Sequence, residues 1–152
     1  MGKQQSKVRL ADIEAFRHDQ DGYYYRPLIF GESLFMYVAH VPPGGEMPAD
    51  LEEARLHETA LFMLEGELEI TDGFTTFNIA SEEAMSVPVG TAFGVRNHGD
   101  RTASFVLSFS PPVRLKSLQQ FRDVFAEEGR EVLSAKEANS LRHMEIQQEK
   151  HQ

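Results

Sequence analysis

Between Tyr23 and about Ser110 the chain alternates apolar and polar positions with the period of a β-strand. YYYRPLIF, SLFMYVAHV, ALFMLEGELEI, FTTFNI, AMSVPVG, FGVRN and ASFVLSF are short runs rich in Phe, Tyr, Val, Ile and Thr. Gly, Pro, Asp or Asn separates them every eight to twelve residues or so, the spacing of an antiparallel sandwich or barrel. The stretch Arg55 to Ile70, RLHETALFMLEGELEI, shows the pattern most clearly, with a turn at Glu65-Gly66 and a His-Glu pair at its start.

On either side the period changes. Residues 1–22 are polar, but Leu10, Ile13 and Phe16 recur at steps of three, which suits a turn or two of helix or an edge segment, and Asp21-Gly22 signals a turn. After Pro111-Pro112, Ser117 to Gln120 reads as a capping box, followed by Phe121, Val124 and Phe125 on one face and Gly129 as the stop. Ser134 to Glu137 is a second capping box, opening a more polar helix through Leu141 and Met144. The final EIQQEKHQ has little to bury. The expected organisation is a polar segment (1–22), a β-barrel (23–112) and a helical tail (113–152) that covers a barrel edge or reaches a partner subunit.

Composition narrows the function classes. A chain of 152 residues suits one domain, and the absence of Cys excludes disulfides, thiolate zinc sites and Cys nucleophiles. A net charge of −9 argues against a nucleic-acid partner. No apolar run approaches the ~18 residues of a membrane span, and no signal-peptide core is present, so the expected location is the cytoplasm. MGKQQS fits the myristoylation pattern at Gly2, although a chance match in a polar tail is the plainer reading. There is no G-x-S-x-G elbow and no Gly-rich phosphate loop.

The segment Pro42 to Pro112 resembles the cupin superfamily, small barrels of the jelly-roll type. PPGG (Pro42 to Gly45) opens the first cupin motif and LFMLEGELEI closes it, with Gly66 at the hairpin turn. VPVGTAFGVRN supplies Pro88, Gly90 and Asn97 of the second motif, and SFSPP ends the barrel. The resemblance implies an all-β, cupin-type jelly-roll barrel with a C-terminal helical tail, and a homodimer. It also locates the usual metal-ligand positions, which fall on Thr59, near Glu53 and Arg55, and on Phe93. Thr and Phe do not replace carboxylate and imidazole at a divalent ion, and Arg repels one. No cofactor is therefore expected.

If Thr59 takes the inward ligand position that the resemblance implies, strand alternation turns Arg55, His57, Leu61 and Met63 inward with it and Glu58 outward, and Phe93, Val95 and Asn97 share the inward parity. Three readings follow. In the first, a metal-free pocket binds a small anionic or polar organic molecule. Arg55 would clamp a carboxylate or phosphate, His57 would hydrogen-bond or act as general base, and Thr59, Phe93, Glu53 and His40 would complete the wall. In the second, His57 with His40 or Glu53, or Glu58 if the register slips, holds Fe, Mn, Ni, Cu or Zn for dioxygenase, isomerase or lyase chemistry. In the third, the protein is a structural or regulatory dimer. The plainer readings are a hydrogen-bonded His57 at a strand end, Arg55 paired with a loop acid, Phe93 as core, and His18, His98, His143 and His151 exposed. The facing of His40 is left open by the sequence.

Overall fold

The computed structural model describes residues 7–18, 22–49, 56–72 and 74–146. Among the described residues, eleven strands form two antiparallel sheets. The larger sheet contains β1 (Ala15–Arg17), β2 (Tyr24–Phe30), β3 (Phe35–Val41), β5 (Glu58–Glu65), β8 (Ala84–Val87), β10 (Ala103–Ser110) and β11 (Val132–Leu133), in the order β11-β1-β2-β3-β10-β5-β8. The smaller has β4 (Glu46–Met47), β6 (Glu67–Thr71), β7 (Thr76–Ala80) and β9 (Gly94–Arg96), in the order β4-β9-β6-β7. Inner faces of both sheets meet in one core that includes Phe35, Ala39, Leu61, Met63, Leu68, Ile70, Val95, Phe105 and Leu107. The alternation along β5 holds, with Thr59, Leu61 and Met63 buried while Glu58, Ala60 and Phe62 are exposed.

The two sequence motifs mark the points where the sheets are joined. Gly66 links β5 to β6 at φ 81°, and a Cβ there would lie 3.0 Å from Ala103, so both conformation and space require glycine. Asn97, only 2% exposed, ties three segments together. Its Nδ2 donates to the Val41 carbonyl at 2.8 Å and the Arg101 carbonyl at 2.7 Å, while Oδ1 accepts from Gly99 N at 2.8 Å. Its backbone exchanges hydrogen bonds with the PPGG turn, Gly44 N donating to the Asn97 carbonyl and Asn97 N to the Gly45 carbonyl.

The segment before Tyr23 and the tail both pack on the barrel. A 3-10 turn at Leu10–Asp12 precedes β1, so the three-residue spacing of Leu10, Ile13 and Phe16 yields a turn and an edge strand in succession. Helix α1 (Leu118–Glu128) is capped by Ser117, whose side chain accepts from Gln120 N, and stops at Gly129 in the left-handed region. The expected capping box is shifted, because the Gln120 side chain returns to Lys116 N. α1 places Phe121 and Phe125 over the open end of the barrel, at 5.4 Å and 5.0 Å from Phe16. The chain then forms β11, which pairs with the free edge of β1, Ala15 opposite Leu133 and Phe16 opposite Val132. Helix α2 (Ala135–Arg142) follows with the complete capping box expected at Ser134 and Glu137.

α2 lies over the outer face of the large sheet, and His40 belongs to that face. Along β3, Phe35, Tyr37, Ala39 and Val41 face the core, so His40 points the other way, fully buried beside Arg26 and Ser104. His40 therefore does not serve the barrel pocket. Arg26 donates through Nε to the Ile13 carbonyl at 2.9 Å and through Nη2 to Asn139 of α2 at 2.8 Å. Its Nη1 lies 3.5 Å from His40 Nε2, and His40 Nδ1 lies 2.7 Å from Ser104 Oγ. A guanidinium only donates, so Nε2 is the acceptor and Nδ1 carries the proton. Burial first, and the Arg26 charge second, push the His40 pKa from 6.5 down to about 3. Arg142 closes this layer by an ion pair with Glu65 at 2.5 Å.

Two stability measurements check this account. Asn97→Asp replaces a double donor by a carboxylate facing two carbonyls, and should cost on the order of 3 kcal/mol in urea denaturation. His40 stays neutral in the folded chain down to about pH 3 but becomes protonated below about 6.5 when unfolded. The unfolded state then binds the extra proton, so stability should fall as pH drops from 6.5 to 5, above the main carboxylate range. His40→Gln should flatten that part of the curve.

Candidate functional site

The open end of the barrel holds a cavity of about 330 Å³. Strands supply Tyr25, Phe35, Tyr37, Thr59, Leu107 and Phe109, and α1 supplies Phe121, Val124 and Phe125 as its roof. Segments around the mouth add His18, Tyr23, Met47, Pro48, His57, Phe93, Val113 and Arg130. The strand positions are those that alternation turns inward, and the roof is the apolar stripe of α1. Tilted and edge-on aromatic pairs run through the wall, among them Tyr25–Tyr37 at 5.1 Å and Phe35–Phe109 at 5.3 Å. Such offset arrangements hold rings firmly without face-to-face repulsion.

Three of the expected site residues, His57, Thr59 and Phe93, meet on this wall. Thr59 is buried at the start of β5, while Phe93 is half-buried just before β9. His57 is half-buried, with its ring edge-on to Phe109 at 4.6 Å. Its Nδ1 lies 2.7 Å from the Pro111 carbonyl. A carbonyl only accepts, so Nδ1 carries the hydrogen and Nε2 is left with a lone pair. Glu53 and Arg55 lie outside the described residues, and so does His151. His98 and His143 are exposed as expected.

His18 departs from expectation. It is half-buried and lines the cavity, stacked on Tyr23 at 4.8 Å. In a polar stretch before a turn it reads as a surface residue, and only the pairing of β1 with β2 brings it to the barrel mouth. Arg130 was equally hidden, because nothing local in EEGRE tells that α1 returns the chain to the cavity. Its guanidinium carbon sits 4.0 Å from the Phe125 ring centroid, and Nη2 donates to the Arg17 carbonyl at 3.1 Å.

Among the described residues, the cavity wall does not offer the donor set of a metal site. Among the described residues no three His, Asp or Glu side chains are grouped as a metal site would need. At the ligand positions of the motifs the wall presents the hydroxyl of Thr59 and the ring of Phe93, neither of which supplies a strong donor.

No family model and no curated protein matches the chain. Solved structures do. The chain is similar to an RmlC-like cupin from Shewanella frigidimarina, with TM-score 0.63 and 17% identity over 75% of this chain and 97% of that one. It is similar to the polyketide cyclase RemF from Streptomyces resistomycificus, with TM-score 0.62 and 21% identity over 80% and 93%. The cupin domain of Schizosaccharomyces pombe Cnp3 aligns with TM-score 0.55 and 22% identity over 58% of this chain and 60% of that one. With the two-sheet topology and both motif turns in place, the chain has the fold of the cupin superfamily, a double-stranded β-helix carrying a C-terminal helical tail.

Proposed function

We propose that the chain binds a small, flat, mostly apolar organic molecule in the barrel, without a metal ion. The observation that carries this reading is the cavity wall, in which tyrosine and phenylalanine rings from β2, β3, β10 and α1 surround the space. A volume near 330 Å³ is at the lower end of the ~300–1,000 Å³ usual for ligand pockets, which suits one or two fused rings. Aromatic walls favour such ligands by apolar burial and by offset ring contacts. The polar groups are few and sit at the margins, as in sites where they orient a ligand rather than supply most of its affinity.

His57 is the group best placed for acid–base work. Its Nδ1 hydrogen bond to Pro111 and the Phe109 ring fix the imidazole, and Nε2 is the nitrogen available to accept a proton. The similar Streptomyces protein is a polyketide cyclase, and a ring-forming substrate is compatible with a cavity of this lining. A sugar or sugar phosphate fits less well, since hydroxyls packed against phenylalanine rings lose their water without replacement hydrogen bonds.

Isothermal titration with 2-naphthamide, a neutral bicyclic probe, should give saturable one-to-one binding, and glucose 6-phosphate should give none. Val124→Trp fills the cavity from its roof and should weaken naphthamide binding by about tenfold or more. Binding of the sugar phosphate alone would overturn the reading. For the metal, protein purified without a tag or chelator should show no stoichiometric Fe, Mn, Ni, Cu or Zn, and EDTA should leave naphthamide affinity unchanged. A metal bound at one per chain and required for binding would make His57 a ligand instead.

A further inference from the structure

We infer that the ring system held in the cavity carries a hydroxyl group, its O–H donating to His57 Nε2 and its oxygen accepting from the Thr59 hydroxyl. This rests on the aromatic-cavity reading and names its ligand class, a hydroxylated aromatic. Thr59 carries the inference. It is only 9% exposed, lines the cavity, and stands between Phe109 of β10 and Val87 of β8 in the sheet register. Its hydroxyl makes no hydrogen bond among the described residues, yet it keeps some accessible surface. On a residue this buried, that surface belongs to the cavity. A buried hydroxyl without a partner is costly, and valine would give nearly the same shape without the cost. The threonine is accounted for by a polar group inside the cavity.

His57 supplies the complementary half of such a site. Its Nδ1 hydrogen goes to the Pro111 carbonyl at 2.7 Å, so Nε2 offers a lone pair, and no described residue donates to it. The two polar groups border the same ring. His57 lies edge-on to Phe109 at 4.6 Å, and Phe109 is the register partner of Thr59. Successive inward residues stand roughly 7 Å apart along a strand. Two hydrogen bonds to one oxygen, each about 2.8 Å, cover most of that distance.

The donor and acceptor roles select the ligand group. His57 Nε2 only accepts, while Thr59 can donate or accept, so the matching group must donate once and accept once. A hydroxyl does both through a single atom. A ketone or ether would satisfy Thr59 but leave Nε2 facing another lone pair. An aromatic amine would donate to His57, yet its nitrogen is a poor acceptor for Thr59. The Phe and Tyr wall then requires that the hydroxyl sit on the edge of a flat ring.

The test is a fluorescence titration of the full chain at neutral pH with 2-naphthol and with 2-methylnaphthalene, in which a methyl group of similar size replaces the hydroxyl. The chain has no Trp, so probe emission is read without overlap. A methyl group leaves water more readily than a hydroxyl, so the quantity compared between variants is the ratio of naphthol to methylnaphthalene affinity. Thr59→Val should lower that ratio about fivefold, and Thr59→Ser, which keeps the hydroxyl, should hold it within about twofold. His57→Asn places an amide nitrogen near the Nδ1 position, so the bond to Pro111 can persist while Nε2 is lost. It should also lower the ratio about fivefold. A ratio unchanged by Thr59→Val or by His57→Asn, an equal loss of both probes included, would overturn the hydroxyl inference while keeping the aromatic cavity. So would a ratio that falls as far in Thr59→Ser as in Thr59→Val. Binding of neither probe to the unaltered chain would overturn the cavity reading itself.

Discussion

The packing of α1 against the barrel is the contact on which the cavity depends. Phe121 and Phe125 reach Phe16 of β1, and Phe121 also stacks on Phe35 of β3 at 6.0 Å, so one helix bridges strands that are not neighbours. Both rings are nearly fully buried, and each contributes on the order of 2–3 kcal/mol by removal from water. The helix is positioned at each end by a feature of its own sequence, Ser117 at the start and Gly129 at the stop. What would otherwise be an open barrel mouth becomes a roofed space.

A second layer operates on the opposite face of the large sheet, and its chemistry is different. There the buried groups include Arg26, His40 and Ser104, each polar and each paired, near α2 and the Leu10–Asp12 turn. Asn139 accepts from Arg26 and donates to the Ala11 carbonyl at 3.1 Å, linking helix, sheet and N-terminal turn in one chain of hydrogen bonds. A buried guanidinium satisfied by neutral acceptors fixes geometry more than it adds stability, because removing any one partner leaves a costly unpaired group. The inner face thus frames a cavity by aromatic packing, and the outer face holds the tail by directional polar contacts.

Most of the barrel was legible in the sequence because its signals are local. Alternation fixed the faces of β5, and Gly66, Gly129 and the Ser134–Glu137 box act where they stand. Thr59 and Phe93, singled out by the motif spacing, both line the cavity. What escaped was every feature that depends on where a segment docks. β11 is two residues long and has no periodicity of its own. The apolar stripe of α1 announces a buried face but not the barrel mouth as its destination. His18 and Arg130 join the site only through that docking, and His40 leaves it because β3 alternates the other way.

The pairing of β11 with β1 has a consequence for stability as well as for shape. α1 is tethered at its N-terminal side to the strand β10 that precedes it, and at its C-terminal side by β11 to the far edge of the same sheet. A roof fastened at both ends does not swing on one hinge; lifting it requires breaking the β11–β1 ladder and the Phe16 contacts together. The local stability of α1 and that of the two-residue ladder are then one quantity, and weakening either end loosens the whole roof. The shape of the cavity roof is set by a segment, residues 118–133, that contributes only two residues to the sheet.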